Sequence, residues 1–379
     1  STVPAEGEQG VGQPTATSIP TPTSTPSPTT TPPTTIAAPV LPGTWSALPP
    51  SGATPRYGGA RSWTGKELLV WGGGTGFTDM LCNGEPCPPS GVVDGVAFDP
   101  ATNVWRAMAP SPLNVVGAGG AWTGSEMVVW GNGRTSGAPA AAAAYDPAHN
   151  SWRTLPAGPV QGYGAELVAV GSEVYLITTG GTSPLAAALD PATGTWRVLP
   201  DPPANEGFLA SAVVGGEVVV AMRNPGGGVL VAALSSGGQW RVVRGFAGPA
   251  SSHSSAAVVD GSVWLSTCHS PQGVPVITIR SVDVATGAFV ERPAPAPGCP
   301  DLIAAGSRLL LLAPVPWDAY PTSYQAFEPT ATGWRELSPL PAGTLGDPLW
   351  TGAEVLFWGG CRCGDFAGAA VEGGFRFRW

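Results

Sequence analysis

Short apolar segments separated by turns fill the chain from about residue 43 to the C-terminus. Seven of these segments are apolar runs of strand length, each preceded by a strand rich in small residues and a turn containing Gly; they occupy residues 68–71, 127–130, 174–177, 218–221, 263–266, 309–312 and 355–358. After each run and a variable loop comes another strand, which ends in Asp-Pro in the clearest copies, then a turn and an aromatic residue followed by Arg in most copies. This pattern predicts four short strands per copy and an all-β fold.

The aromatic residue that closes each copy recurs at Trp105, Trp152, Trp196, Trp240, Phe289 and Trp334. The steps between these positions are 47, 44, 44, 49 and 45 residues. A period in the forties with four strands per repeat is typical of a β-propeller blade. The seven apolar runs therefore predict a seven-bladed propeller.

The segment at Trp45 resembles the outer strand at Trp196, yet it precedes the first inner strand. We expect it to complete the last blade, whose third strand would be residues 375–379, so that the N-terminal strand closes the ring and no sheet edge stays open. In the competing register, residues 375–379 form the outer strand of blade seven and the Trp45 segment is an extra strand.

Gly-Gly pairs at 72–73, 180–181 and 359–360, followed by an aromatic and by Trp105, Trp152 or Trp334, resemble the kelch repeat of the galactose oxidase-like propellers. The resemblance covers about residues 43–379 and implies a kelch-like propeller. Copper oxidases of that type need two His ligands, but His149 occupies a turn position held by Thr102 in another copy. We therefore expect a member without the copper site, with no metal and no cofactor.

Residues 12–39 consist almost entirely of Thr, Pro, Ser and Ala. Such a segment cannot bury enough apolar surface to offset its ordering entropy. We expect residues 1–42 to be a disordered Pro/Thr-rich stalk and residues 43–379 to be the propeller. The stalk and the polar start at Ser1 favour a processed, extracellular or cell-surface protein, with the stalk as a possible tether to the cell envelope.

The composition favours a β-rich chain that binds no nucleic acid. The chain has 54 Gly, 43 Pro and 15 Trp, only 11% charged residues, and a formal net charge of −9 without any cluster of Lys or Arg. A phosphate backbone needs a basic surface, so we expect no nucleic acid partner. No apolar run approaches the roughly 20 residues of a membrane-spanning helix. We expect a monomer.

Six cysteines occur in predicted loops and favour disulfides in an oxidising compartment. Cys268 and Cys299 form one predicted bridge. The other bridges are either a local Cys82–Cys87 pair or cross-blade pairs that join Cys82 and Cys87 to Cys361 and Cys363.

Polar residues lie just before the predicted innermost strands, where the mouth of the central channel lies in a propeller. They are Arg56, Asn114, Gln161, Glu206, His253, Asp301 and Asp347. Ligand sites favour such mouths. The long blade-one insertion, residues 75–93, is expected beside the same mouth as a recognition loop, a lid or a disulfide-pinned decoration.

These features favour a non-enzymatic binding module for a protein, peptide or glycan. The alternative is an extracellular hydrolase or lyase acting on a carbohydrate or lactone, with its acid and base drawn from Glu206, His253, Asp301 and Asp347. A third hypothesis is an envelope spacer without a ligand.

Overall fold

A computed structural model describes residues 41–75, 81–82, 85–86, 91–133, 139–249, 253–270, 274–315, 323–340, 346–360 and 370–379. Within these ranges the regular structure is entirely β, with thirty strands, β1 to β30 in chain order. All but two of the strands form seven four-stranded antiparallel sheets. The remaining two, β4 (Leu81–Cys82) and β5 (Glu85–Pro86), pair as a small hairpin.

Each sheet is one blade, with its strands in order from the innermost to the outermost. Blades I to III contain β2 (Ala60–Trp63), β3 (Leu68–Trp71), β6 (Gly95–Asp99) and β7 (Val104–Ala107); β8 (Val115–Trp122), β9 (Met127–Gly133), β10 (Ala141–Asp146) and β11 (Ser151–Leu155); and β12 (Gln161–Val170), β13 (Glu173–Thr182), β14 (Ala186–Asp190) and β15 (Thr195–Leu199).

The other four blades follow the same order. Blades IV and V contain β16 (Phe208–Val214), β17 (Glu217–Arg223), β18 (Val229–Leu234) and β19 (Trp240–Phe246); and β20 (His253–Val259), β21 (Ser262–His269), β22 (Val276–Asp283) and β23 (Phe289–Arg292). Blades VI and VII contain β24 (Asp301–Ala305), β25 (Arg308–Val315), β26 (Ser323–Pro329) and β27 (Trp334–Leu340); and β28 (Asp347–Trp350), β29 (Val355–Trp358), β30 (Gly374–Arg378) and β1 (Thr44–Ala47).

The innermost strands form a closed ring. Each of β2, β8, β12, β16, β20, β24 and β28 contacts the next one, and β28 contacts β2. The seven-bladed propeller predicted from the repeat is thus confirmed, and each of the seven apolar runs is part of a second strand.

The last blade is completed by the N-terminal strand. Trp45 pairs with Phe377, so β1 lies outside β30, and β30 is the third strand of the blade. The Trp45 indole packs 4.7 Å from the Phe377 ring and donates its Nε1–H to the carbonyl of Ser338 in blade VI at 2.7 Å. Closure by the N-terminal strand is confirmed, and the competing register is wrong.

The second strands are apolar without alternation because both faces of each sheet are covered by neighbouring blades. Leu69 and Trp71 pack in the core shared with blade II, whereas Leu68 and Val70 pack in the core shared with blade VII. Successive side chains of a strand point to opposite faces, so one apolar run fills two inter-blade cores.

The closing Trp of a blade donates a hydrogen bond to a backbone carbonyl of the preceding blade. Trp196 Nε1–H donates to the Pro156 carbonyl at 2.9 Å, and Trp240 Nε1–H donates to that of Pro200 at 2.9 Å. Trp45, Trp105, Trp152 and Trp334 make the same kind of bond. Blade V has Phe289, which carries no N–H on its ring, at this position.

One disulfide is present among the described residues, between Cys268 and Cys299, as predicted. Cys87, Cys361 and Cys363 lie outside the described residues, as does the side chain of Cys82, so the other bridges stay predictions. Residues 1–40 lie outside as well, and with them nearly all of the predicted stalk. No helix in the described ranges has the length and apolar character needed to cross a membrane.

Candidate binding site at the channel mouth

Six of the seven predicted mouth residues lie within two residues of the start of an innermost strand. Gln161, His253, Asp301 and Asp347 are the first residues of β12, β20, β24 and β28, Asn114 immediately precedes β8, and Glu206 lies two residues before β16. These strand starts lie on one side of the ring. The start of β20 contacts the start of β24, and the start of β28 contacts the segment before β2.

The mouth presents polar side chains to solvent. Asn114, Gln161 and Glu206 are exposed, and the His253, Asp301 and Asp347 side chains keep 37–43% of their surface accessible. Amides, carboxylates and an imidazole together offer both hydrogen-bond donors and acceptors. The rim of the channel therefore exposes groups that can donate and groups that can accept hydrogen bonds.

His253 and Asp301 form the one pair of predicted mouth residues in direct contact within the described part of the mouth. The distance from His253 Nε2 to Asp301 Oδ1 is 3.2 Å, across the boundary between blades V and VI. Interaction with the Asp301 carboxylate raises the pKa of His253, against the opposing effects of burial and of the nearby Arg223 cation. The Asp301 charge also adds to the burial that raises the pKa of Tyr324 to about 12.

The disulfide fixes the position of this pair. His253 lies opposite Cys268 in the β20–β21 register, and Cys299, the partner of Cys268, comes two residues before Asp301. The covalent bond therefore joins the strand beside His253 to the segment that carries Asp301. This arrangement preorganises the two side chains in one geometry.

Asp347 has a different set of contacts. Its carboxylate forms an ion pair with Arg61 and accepts the Gly58 N–H at 2.9 Å, so it joins blade VII to blade I. Burial lowers the pKa of Arg61 to about 9. Asp347 thus acts in ring closure as well as at the mouth.

Arg56 differs from the other predicted mouth residues because its side chain is fully buried. Its guanidinium donates to the carbonyls of Thr54, Gly72 and Asp94, and Nη2 lies 2.7 Å from the Asp94 carboxylate. Its guanidinium is therefore not accessible at the surface of the mouth. Arg56 instead satisfies backbone carbonyls beside the blade-one loop.

Glu166 is a mouth-side residue that the sequence did not single out. It lies opposite Ile177, the same register position that Asp301 and Asp347 hold in their blades. Ser211 Oγ of blade IV donates to its Oε2 at 2.7 Å, and burial raises the pKa of the carboxyl group. The sequence could have identified Glu166 if the strands had been aligned, because an acidic residue then lies opposite the last residue of the apolar run in blades III, VI and VII.

The blade-one insertion is described only in part. Gly74 bridges Tyr57 and Gly91, and the β4–β5 hairpin lies between Gly74 and Gly91 in the chain. Residues 76–80, 83–84 and 87–90 lie outside the described residues.

Among the residues that the structure describes, no group of three or more His, Cys, Asp or Glu side chains is arranged to hold a metal ion. No family model matches the chain. A comparison with curated proteins likewise gives no match.

Proposed function

We propose that this propeller is an extracellular or cell-surface binding module whose channel mouth binds a protein, peptide or glycan. The observation that carries the proposal is the row of polar side chains at the starts of six consecutive innermost strands, β8 to β28, each with an accessible surface. A rigid ring that presents variable loop residues suits recognition of an extended polar partner. The Cys268–Cys299 bridge is consistent with an oxidising compartment.

The partner is expected to engage Glu206, His253 and Asp301, which come from three adjacent blades, IV to VI. The predicted mouth residues include three carboxylates and one imidazole, so hydroxyl-rich glycans and peptides with basic or amide side chains complement them. Arg56 is not among the groups that we propose for contact.

The test is binding of the full chain to arrays of extracellular glycans and of synthetic envelope peptides. Each hit is measured against the variants Glu206→Ala, His253→Ala and Asp301→Asn. Glu173→Ala is the matched control because Glu173 is the first residue of β13, at the opposite end of blade III. Loss of binding in the three mouth variants but not in the control supports the proposal; equal loss in all four, or in none, contradicts it.

A second candidate function is an acid–base hydrolase or lyase. It is favoured by Glu166, whose raised pKa would suit a general acid, and by the His253–Asp301 pair. Turnover of a carbohydrate or lactone that is lost in both Glu166→Gln and Asp301→Asn would support this function. Saturable binding without turnover would favour the binding module.

A further inference from the structure

Blade V differs from the other six blades at a position that faces the preceding blade. This position lies on the third strand, opposite the third residue of the apolar run. In the other blades it is apolar and adds to the inter-blade core: Val96, Ala143, Ala187, Ala232, Phe327 and Phe375. In blade V it is Arg280, opposite Leu265.

A cavity of about 230 Å³ lies where this arginine replaces an apolar side chain. It lies between blades IV and V, among the last residues of β19 and β21 and the first residues of β18 and β22. His253 pairs with Cys268 near the end of β21, so the cavity opens on the same side of the ring as the mouth, but farther from the axis. Its polar lining includes Thr267, His269, Thr278 and Arg280.

The Arg280 guanidinium is held in place with donors to spare. Its Nε–H donates to Glu291 at 3.0 Å, and its central carbon lies 4.7 Å from the centroid of the Phe246 ring. An arginine carries five N–H donors, so one hydrogen bond leaves the outer edge of the fork available. Glu291 and Phe246 thus orient the group towards the cavity.

A second arginine lies beside the cavity without lining it. The central carbon of the Arg244 guanidinium lies 4.6 Å from the ring centroid of Phe289 and 5.8 Å from that of Phe246, a lining residue, and Arg244 has no carboxylate partner among the described residues. By contrast, the arginines that follow a closing Trp, such as Arg153 and Arg197, form ion pairs with glutamates of their own blade. The positive charges of Arg244 and Arg280 outnumber the one negative charge of Glu291 in this region, although the protein as a whole is acidic.

We propose that this cavity between blades IV and V binds a small organic carboxylate, free or carried on a sugar ring, with Arg280 as its anchoring cation. A guanidinium fork matches a carboxylate with two parallel hydrogen bonds. The Thr267 and Thr278 hydroxyls supply further donors, and Leu265 and Val229 form an apolar wall. The volume is below the roughly 300–1,000 Å³ of pockets for drug-sized ligands, which restricts the occupant to a small molecule. This site is distinct from the mouth residues of the proposed function.

The test is calorimetric titration of the full chain with glucuronate, its neutral counterpart glucose, and succinate. The decisive variant is Arg280→Met, which gives blade V an apolar side chain like those of the other six blades and is expected to melt no lower than the wild type. We expect saturable binding of at least one acid, none of glucose, and a loss of at least about tenfold in affinity in Arg280→Met. Arg197→Met, which removes an arginine paired elsewhere, is the matched control and should bind as the wild type does.

Binding of succinate alone supports a free organic acid, and binding of glucuronate supports an acidic sugar. The proposal is overturned if neither acid saturates at millimolar concentration, if glucose binds as well as glucuronate, or if Arg280→Met keeps the wild-type affinity. Glu206→Ala should leave this binding unchanged, so failure at the cavity and failure at the mouth are distinguishable.

Discussion

His253 Nε2 lies 3.2 Å from Asp301 Oδ1, and the two residues belong to neighbouring blades. The contact raises the pKa of His253, so the imidazolium form is more favoured in the folded protein than in the unfolded chain. Because the folded-state pKa lies above the unfolded value of about 6.5, the pair stabilises the fold fully below that pH. The stabilisation is lost as the pH rises through the folded-state pKa of His253.

Asp301→Asn is expected to lower the pKa of His253 and to weaken the dependence of the melting temperature on pH near neutrality. The chain has three histidines, so proton NMR resolves each titration. Asp146→Asn is the matched control, because Asp146 raises the pKa of the exposed His149 in the same way. An unchanged His253 pKa in Asp301→Asn would show that the pair does not form in solution.

Removal of the disulfide by Cys268→Ser with Cys299→Ser is expected to destabilise the propeller by about 3–4 kcal/mol, since the bridge joins residues 31 positions apart in the chain. The pKa of His253 should fall towards about 6.5 at the same time, because the segment that carries Asp301 is released. Chemical denaturation and the histidine titration measure the two effects. A loss of stability without a change in the His253 pKa would mean that the disulfide does not position the pair.

Glu166→Gln is expected to raise the melting temperature at neutral pH. Burial raises the pKa of Glu166, so the native state favours the protonated acid, and stability is lost as the pH rises from about 4.5 through the folded-state pKa. The amide cannot ionise and still accepts the Ser211 hydrogen bond. Ser211→Ala is the control that removes the bond alone. Equal gains at pH 4 and pH 7 would contradict the burial of an ionisable group.

Trp45→Ala is expected to destabilise the propeller by about 2–3 kcal/mol, less than the roughly 3–5 kcal/mol of a fully buried aromatic, since Trp45 is partly exposed. Trp45→Phe keeps the packing on Phe377 and Phe357 but loses the bond to Ser338, at a cost of about 1 kcal/mol. Urea denaturation of both variants measures the difference. No loss in Trp45→Ala would mean that β1 does not complete blade VII.

Much of the fold follows from the sequence because each blade repeats one pattern. The apolar runs stand out in the sequence because each one fills two inter-blade cores and so has almost no polar positions. The closing Trp recurs because its indole N–H donates a hydrogen bond to the preceding blade. The sequence allows a competing register for β30 because residues 375–379 end in Arg-Trp and contain aromatic residues, as the outer strands do. The structure pairs β30 on both sides, with β29 and β1.

The site is less predictable because position along a strand does not fix where a side chain points. Arg56 precedes an innermost strand as expected, yet it turns inward to bind three carbonyl groups. Arg280 lies in an otherwise apolar pattern, and its importance depends on the register that places it opposite Leu265. Such pairings depend on the register between strands and on the neighbouring blade, so they appear only once the sheets are assembled.

Closure of blade VII by β1 also sets a time order for folding. β1 precedes every other strand of the propeller in the chain, whereas its partner β30 is the last strand. During synthesis, β1 must therefore wait for the other six blades before it can pair, and contacts of such long sequence separation form slowly. Until β30 is made, β1 has no strand to pair with, and once β30 is made its outer edge stays open until β1 pairs with it. The interval before closure is therefore the period of greatest risk of aggregation.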